Sequence, residues 1–490
     1  MGFLDSFDNV SDLHENQHLE FKEASFSLPR DMWETYSAFA NTEGGDIVLG
    51  VREDKESHRF YLDGVADADG LIAEFWSTVR NPQKVSCDAM LFDGVRSERI
   101  EGADFVIVSV PRANRGEKPV RVYDKSEKRL VSFIRRGSGD FKASESDLAR
   151  MHYDCIPGAD RSPLERFGME CLDEKTIARY RSVFSNIKPL SPWNNDSTED
   201  FLYHIGASAK GRDNRLHPTQ AGLLAFGHEY EITNHLPRYL LDYREETSVD
   251  LRWDDRIVSQ SGDWSGNLID FYLAVTDRIR RYFKAPYSTD ETGTRHGSRN
   301  VVTEAANEAV VNALVHAYYG EESEVRIILK ENALEVTNSG SMLMDREVAL
   351  AGGVSEMRNP TLMRIFSFIG ASDRAGSGLF DIWSTWRDEF GKEPLLEEAY
   401  GPSSVKITLP LVHGKASGPG SNAGKARRVV SDGVLVDALS LSPEGMTPKE
   451  AHLALGISER TAQEKFKALV DAGVLTRAKE GRSFRYFAKE

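Results

Sequence analysis

The sequence predicts an α/β (α+β) multidomain protein with a helix-turn-helix tail, and three observations carry that prediction. Strand-like runs at Asp46–Val51, Phe105–Val110 and Leu130–Ile134 alternate with helical patterns such as Met32–Asn41, so the first 155 residues read as α/β. From Ser298 a long apolar helix, a strand pair and a glycine-rich stretch form a second α/β unit that ends near Val412. Lys415–Lys425, KASGPGSNAGK, then replaces all apolar periodicity with small and turn residues, the composition of a flexible linker. The expected division is a head at 1–155, a connecting α+β segment at 156–290, a second α/β domain at 291–412, a linker at 413–426 and a tail at 427–490.

Length and composition agree, since 490 residues correspond to roughly three domains. With 40% hydrophobic and 28% charged residues, collagen, coiled coil and wholesale disorder are excluded. The net charge of −16 argues against nucleic acid only if it is spread evenly, and it is not. From Lys415 to Glu490 there are 13 basic and 9 acidic residues, and from Arg112 to Lys142 there are 10 against 4. Both stretches are candidates to face phosphate. The three cysteines, Cys87, Cys155 and Cys171, show no C-x-x-C spacing, which speaks against a disulfide framework or a thiolate zinc site. Nothing approaches 18 consecutive apolar residues and MGFLDSFDNV lacks a positive leader segment, so a cytoplasmic chain with no membrane partner is expected.

In the head, Glu15, Glu20 and Lys22 bracket the strand-like LEFK, and alternation puts Glu20 and Lys22 on one face. A buried strand after Gly44-Gly45 leads out to Glu53 and Asp54. Two or three carboxylates around a divalent cation, with a lysine beside a scissile phosphate, make a workable phosphodiesterase site. E-x-x-x-x-E-F-K, then Ser37-Ala38-Phe39-Ala40-Asn41-Thr42-Glu43-Gly44-Gly45 and Gly50-Val51, resembles the Schlafen AlbA-type domain over about residues 11–150. The later Phe133-Ile134-Arg135-Arg136-Gly137-Ser138 resembles that domain's closing strand and turn, from which Arg135 and Arg136 would contact RNA or DNA. The resemblance implies a DNA-binding module in bacterial regulators or a metal-dependent RNA nuclease in Schlafen proteins. In the second case Glu15 and Glu20 would ligate manganese or magnesium, Lys22 would be the adjacent basic group, and Glu53 the third acid where aspartate is usual.

In RNVVTEAANEAVVNALVHAYYG, Glu304, Glu308, Asn312 and His316 recur every four positions and form one stripe on an otherwise apolar helix. Such a row faces a polar cleft or forms an internal hydrogen-bond row. The functional reading is a nucleotide site, with Asn312 coordinating magnesium and Glu308 polarising the attacking water. Leu334–Thr337 runs into Asn338-Ser339-Gly340-Ser341, where an adenine can meet a side-chain acceptor, and Arg374-Ala375-Gly376-Ser377-Gly378 is a turn of the type that wraps phosphates. E-x-x-x-N followed by both turns resembles the GHKL ATPase fold, a sandwich. With Arg358-Asn359-Pro360 it looks like the divergent ATPase domain that accompanies AlbA-type domains. ATP with magnesium is the implied cofactor. Asn338 replaces the usual aspartate and Met342 the second glycine, which leaves binding without hydrolysis open.

In the tail, Thr447, Pro448 and Glu450 form a capping box, Gly456 turns the chain, and a third helix carries Arg460, Gln463, Lys465 and Lys467. Val474–Arg477 and Ser483–Phe487 pair across a turn bearing Arg482. This is helix-turn-helix spacing, and it resembles winged-helix regulators that place the third helix in the major groove of duplex DNA. Two functions follow: an ATP-binding, DNA-binding regulator, or a Schlafen-like metal-dependent nuclease controlled by the ATPase-like domain. Homo-oligomerisation is left open.

Overall fold

The computed structural model describes residues 15–54, 59–100, 102–247, 252–283, 288–289, 295–296, 301–320, 324–372 and 378–411, and in the tail 446–448, 463, 465–467, 469–470, 475–480 and 483–488. The chain forms two compact units, Met1–His413 and Gly414–Glu490.

The head begins with Leu19–Lys22 running parallel to Gly45–Leu49, Glu20 opposite Ile47. Gly45–Leu49 pairs antiparallel with Ala103–Val110, which pairs with Val95–Ile100, giving four strands. Arg121–Asp124, Arg129–Arg136 and Gly139–Lys142 form a three-stranded sheet, and Val51–Asp54 with Arg59–Leu62 a hairpin. The Met32–Asn41 helix spans the residues its spacing predicts and buries Met32, Tyr36, Phe39 and Ala40. What docks it is polar. Asn41 Nδ2 donates to the carbonyls of Val120 and Phe133, each at 2.9 Å, and its Oδ1 accepts the Val120 N–H at 2.8 Å. One turn earlier, Ser37 Oγ donates to the Val120 carbonyl at 2.8 Å and accepts the Phe133 N–H at 2.9 Å. Two buried side chains thus satisfy backbone groups of Val120, just ahead of Arg121–Asp124, and of Phe133 within Arg129–Arg136.

The body is a six-stranded sheet in the order Asp255–Val258, Leu240–Glu246, Glu324–Lys330, Ala333–Ser339, Ser403–Pro410, Leu395–Tyr400. Leu240–Glu246 and Glu324–Lys330 are parallel, and the other pairs are antiparallel. Val325, Ile327 and Leu329 alternate along one strand into a core shared with helices Glu174–Ile187, Gln220–Phe226, Leu268–Tyr282, Val301–His316 and Pro360–Phe368. The result is a sandwich of helices on a mixed sheet. Residues 156–290, expected as a connecting α+β segment, contribute two of its strands and much of its core. A parallel partner reaches its place only through a long crossover, so no local pattern reveals that Leu240–Glu246 belongs beside Glu324–Lys330.

In the tail, Leu475–Glu480 pairs antiparallel with Ser483–Ala488, joining the segments predicted to meet. Gln463, Lys465–Lys467, Leu469 and Val470 are helical, and Phe466 and Tyr486 are buried with their rings stacked at 4.7 Å. Gln463 and Lys467 are exposed. Arg460, Arg482 and the 413–426 linker lie outside the described residues. Among the described residues no helix is long and apolar enough to cross a membrane.

Candidate functional site

The Val301–His316 helix brings Glu308, Asn312 and His316 to one wall of a cavity of about 950 Å3, counting its open mouth. Asn338, Ser341, Met342 and Gly378 line the same space. Glu304, the fourth residue of the stripe, is exposed outside it. Glu308 Oε1 accepts from Ser372 Oγ at 3.0 Å. A Cβ at Gly378 would stand 2.6 Å from Glu308 Oε1 and 3.2 Å from Asn312 Nδ2, so a side chain here would push the Glu308 carboxylate aside. The predicted stripe and the predicted turn therefore converge, although Gly376 lies outside the described residues. Asn338 is buried and its Nδ2 donates to the Ser339 carbonyl at 3.0 Å, which leaves Oδ1 as an acceptor. Desolvation at the cavity floor, with the Arg358 guanidinium close by, pushes the His316 imidazole down to about 4.

Gly340 departs from its expected role. Its φ of +93° requires glycine, but a Cβ there would meet Arg358 Nη1 at 2.8 Å, and Gly340 is not among the residues lining the cavity. Arg358, part of the Arg358-Asn359-Pro360 motif, has a role that the sequence did not reveal. It is fully buried, holds Asp154 at 2.7 and 3.1 Å and the Ser341 carbonyl at 2.7 Å, and donates to the His316 carbonyl.

In the head, Glu20 and Lys22 share a face as predicted and form an ion pair of 2.6 Å. Arg135 Nη2 takes the other Glu20 oxygen at 2.8 Å, and its Nη1 binds Asp140 at 2.9 Å. Glu15 Oε1 accepts the Phe21 N–H at 3.1 Å, while burial, with Glu20 and Glu53 nearby, raises its carboxyl above the ordinary range. Glu53 sits exposed on its hairpin. Among the described residues no three acidic, histidine or cysteine side chains gather to hold a metal ion. Glu20, the central acid of the expected set, already has both oxygens on cations, so its donor chemistry does not fit a ligand for manganese or magnesium in this arrangement.

Of the two head arginines expected to face nucleic acid, one is internal and the other reaches the body. Arg135 is fully buried and spent on Glu20 and Asp140, so its guanidinium is closed to phosphate. Arg136 is partly exposed, yet its Nε donates to the Tyr400 carbonyl of the body at 2.6 Å. Arg112 reaches the body too, binding Glu398 at 2.8 and 3.2 Å and the Met342 carbonyl at 2.8 Å. Of the basic residues of 112–142, Arg112, Arg115 and Arg136 are thus committed to a seam between head and body. Lys125, Lys128, Arg129 and Lys142 remain exposed, Lys142 paired with Asp124 and Glu127. A second, polar groove near Arg179, Arg256 and Arg278 offers little free charge, since these pair with Asp270, Asp242 and Asp255.

Three family models match stretches of this chain. Residues 15–144 match "Schlafen, AlbA_2", 150–242 match a domain of unknown function, DUF8451, and 322–409 match "Putative ATP-dependent DNA helicase recG C-terminal". The chain carries a Schlafen AlbA_2 domain and a RecG-like C-terminal domain. Among solved structures, the DIP2311 protein from Corynebacterium diphtheriae is 16% identical over 96% of this chain and 92% of its own, with a TM-score of 0.42. The N-terminal domain of a RecG-related protein from Nitrosomonas europaea is 24% identical over 29% of this chain and 88% of its own, with a TM-score of 0.21. No curated protein matches.

Proposed function

We propose that this protein is an ATP-binding, DNA-binding regulator in which the AlbA_2 head and the winged-helix-like tail engage nucleic acid and the GHKL-like body holds the nucleotide. The observation that carries the reading is the convergence of Glu308, Asn312, Asn338 and Gly378 on one cavity. Met342, Met344, Met357 and Met363 give that cavity a soft apolar lining suited to a flat base. Asn338 Oδ1 would accept from the exocyclic amine of adenine, doing the work of the usual aspartate oxygen. Asn312 would hold magnesium, which on binding would offset the charge of the phosphates. Glu308, braced by Ser372, would orient water at that end, and the tight approach of Gly378 keeps its backbone within reach of the phosphates.

The test is titration of the full chain with a fluorescent ATP analogue and magnesium. Asn312→Ala is expected to weaken binding about tenfold or more, the size of a lost hydrogen bond to a charged group. Unchanged affinity in that variant would sink the assignment.

A further inference from the structure

The wall of the cavity that faces the head is not held by the body alone. Ser341, Met342, Met344, Glu356 and Met357 line it, and each is bonded by an arginine of the head. Arg150 Nη1 donates to Ser341 Oγ at 2.6 Å. Arg112 donates to the carbonyls of Met342 at 2.8 Å and Met344 at 3.3 Å, and Glu398, its carboxylate partner, also accepts the Met342 N–H at 2.8 Å. Arg115 reaches the Met357 carbonyl at 3.1 Å and Glu356 at 3.4 Å. Behind the same turn, Arg358 ties the Ser341 carbonyl to Asp154, at the end of the head helix Glu145–Cys155.

Charged donors shielded from water make strong, geometrically demanding bonds. A ligand that moves the 341–344 main chain must therefore either carry the arginines with it or break bonds that water cannot replace. A packed, charged seam answers by switching between discrete arrangements rather than by stretching. We propose that occupancy of the cavity and the state of the head are coupled through Arg112, Arg115 and Arg150, so that nucleotide regulates the grip of the head on nucleic acid. By linkage, nucleic acid on the head changes nucleotide affinity by the same factor. The proposal rests on the nucleotide reading of the cavity.

Hydrogen–deuterium exchange of the full chain, with and without a slowly hydrolysed ATP analogue plus magnesium, tests both at once. The expected result is slower exchange in 339–344 and 354–358, and slowing of about fivefold or more, the low end of common coupling factors, in head peptides 109–117 and 145–155. Protection confined to the cavity peptides would overturn the coupling while leaving the nucleotide reading intact. No protection anywhere, together with no binding of the analogue, would overturn both. Arg115 is the least enclosed of its contacts, pairing with a half-exposed Glu356, so Arg115→Ala is expected to fold. It should retain the cavity protection and lose much of the head protection, and head protection equal to the wild type's would refute the arginine route.

Discussion

At the scale of single residues, burial decides what a charged or titratable side chain is for. Arg135 and Arg136 are neighbours in sequence, but the first is sealed under Glu20 and Asp140 while the second reaches Tyr400 of the body. Strand alternation held no clue, because Arg135 shares a face with buried Phe133 and Arg136 shares one with buried Ile134. Glu308, Asn312 and Gly378 were legible because two lie four apart on one helix and the third belongs to a recognisable turn. Arg358, Asp154 and Ser372 were not, since their partners are brought together only by the tertiary fold. His316 makes a residue-scale prediction. Its folded-state value of about 4 lies below the 6.5 of an unfolded histidine. Between those values the unfolded chain takes up a proton that the folded chain refuses, so stability falls as pH is lowered through that window. Urea unfolding at pH 4.5 to 7 (about the range those values span) should show this slope, and His316→Gln should flatten it. An equal slope in the variant would show that His316 does not carry the effect.

At the scale of elements, the most specific sequence motif of the head has a structural job. Ser37 and Asn41 sit one turn apart on the Met32–Asn41 helix and feed hydrogen bonds to Val120 and Phe133. The strands LEFK and Gly45–Leu49 and the helix between them were readable because local periodicity specifies them. The latch was not, because its partners lie about eighty or more residues onward. Replacing Asn41 by leucine leaves the Val120 N–H and the Phe133 carbonyl buried without partners. Each such group costs about 1–3 kcal/mol, so chemical denaturation of Asn41→Leu should show a loss of roughly 3 kcal/mol. A loss near zero would mean that water or a side-chain shift replaces those bonds.

At the scale of the whole molecule, net charge misleads until it is divided. The tail carries 13 basic against 9 acidic residues within an acidic chain, and its exposed Gln463 and Lys467 lie on helix. Deleting 415–490 is expected to lower affinity for duplex DNA and flatten its salt dependence, since phosphate contacts release counterions. Binding with the same affinity and salt slope in the shortened protein would refute the role of the tail. The order of head, body and tail was legible from composition and motif, whereas the union of 156–290 with the body was not, because a parallel strand pair leaves no local signature. The DUF8451 match ends at residue 242, inside the Leu240–Glu246 strand, and the strand's partner Glu324–Lys330 lies in the RecG-like match. The RecG-like stretch alone therefore holds four of the six strands, and cut away from Leu240–Glu246 it would present the Glu324–Lys330 strand as a bare edge, open to aggregation.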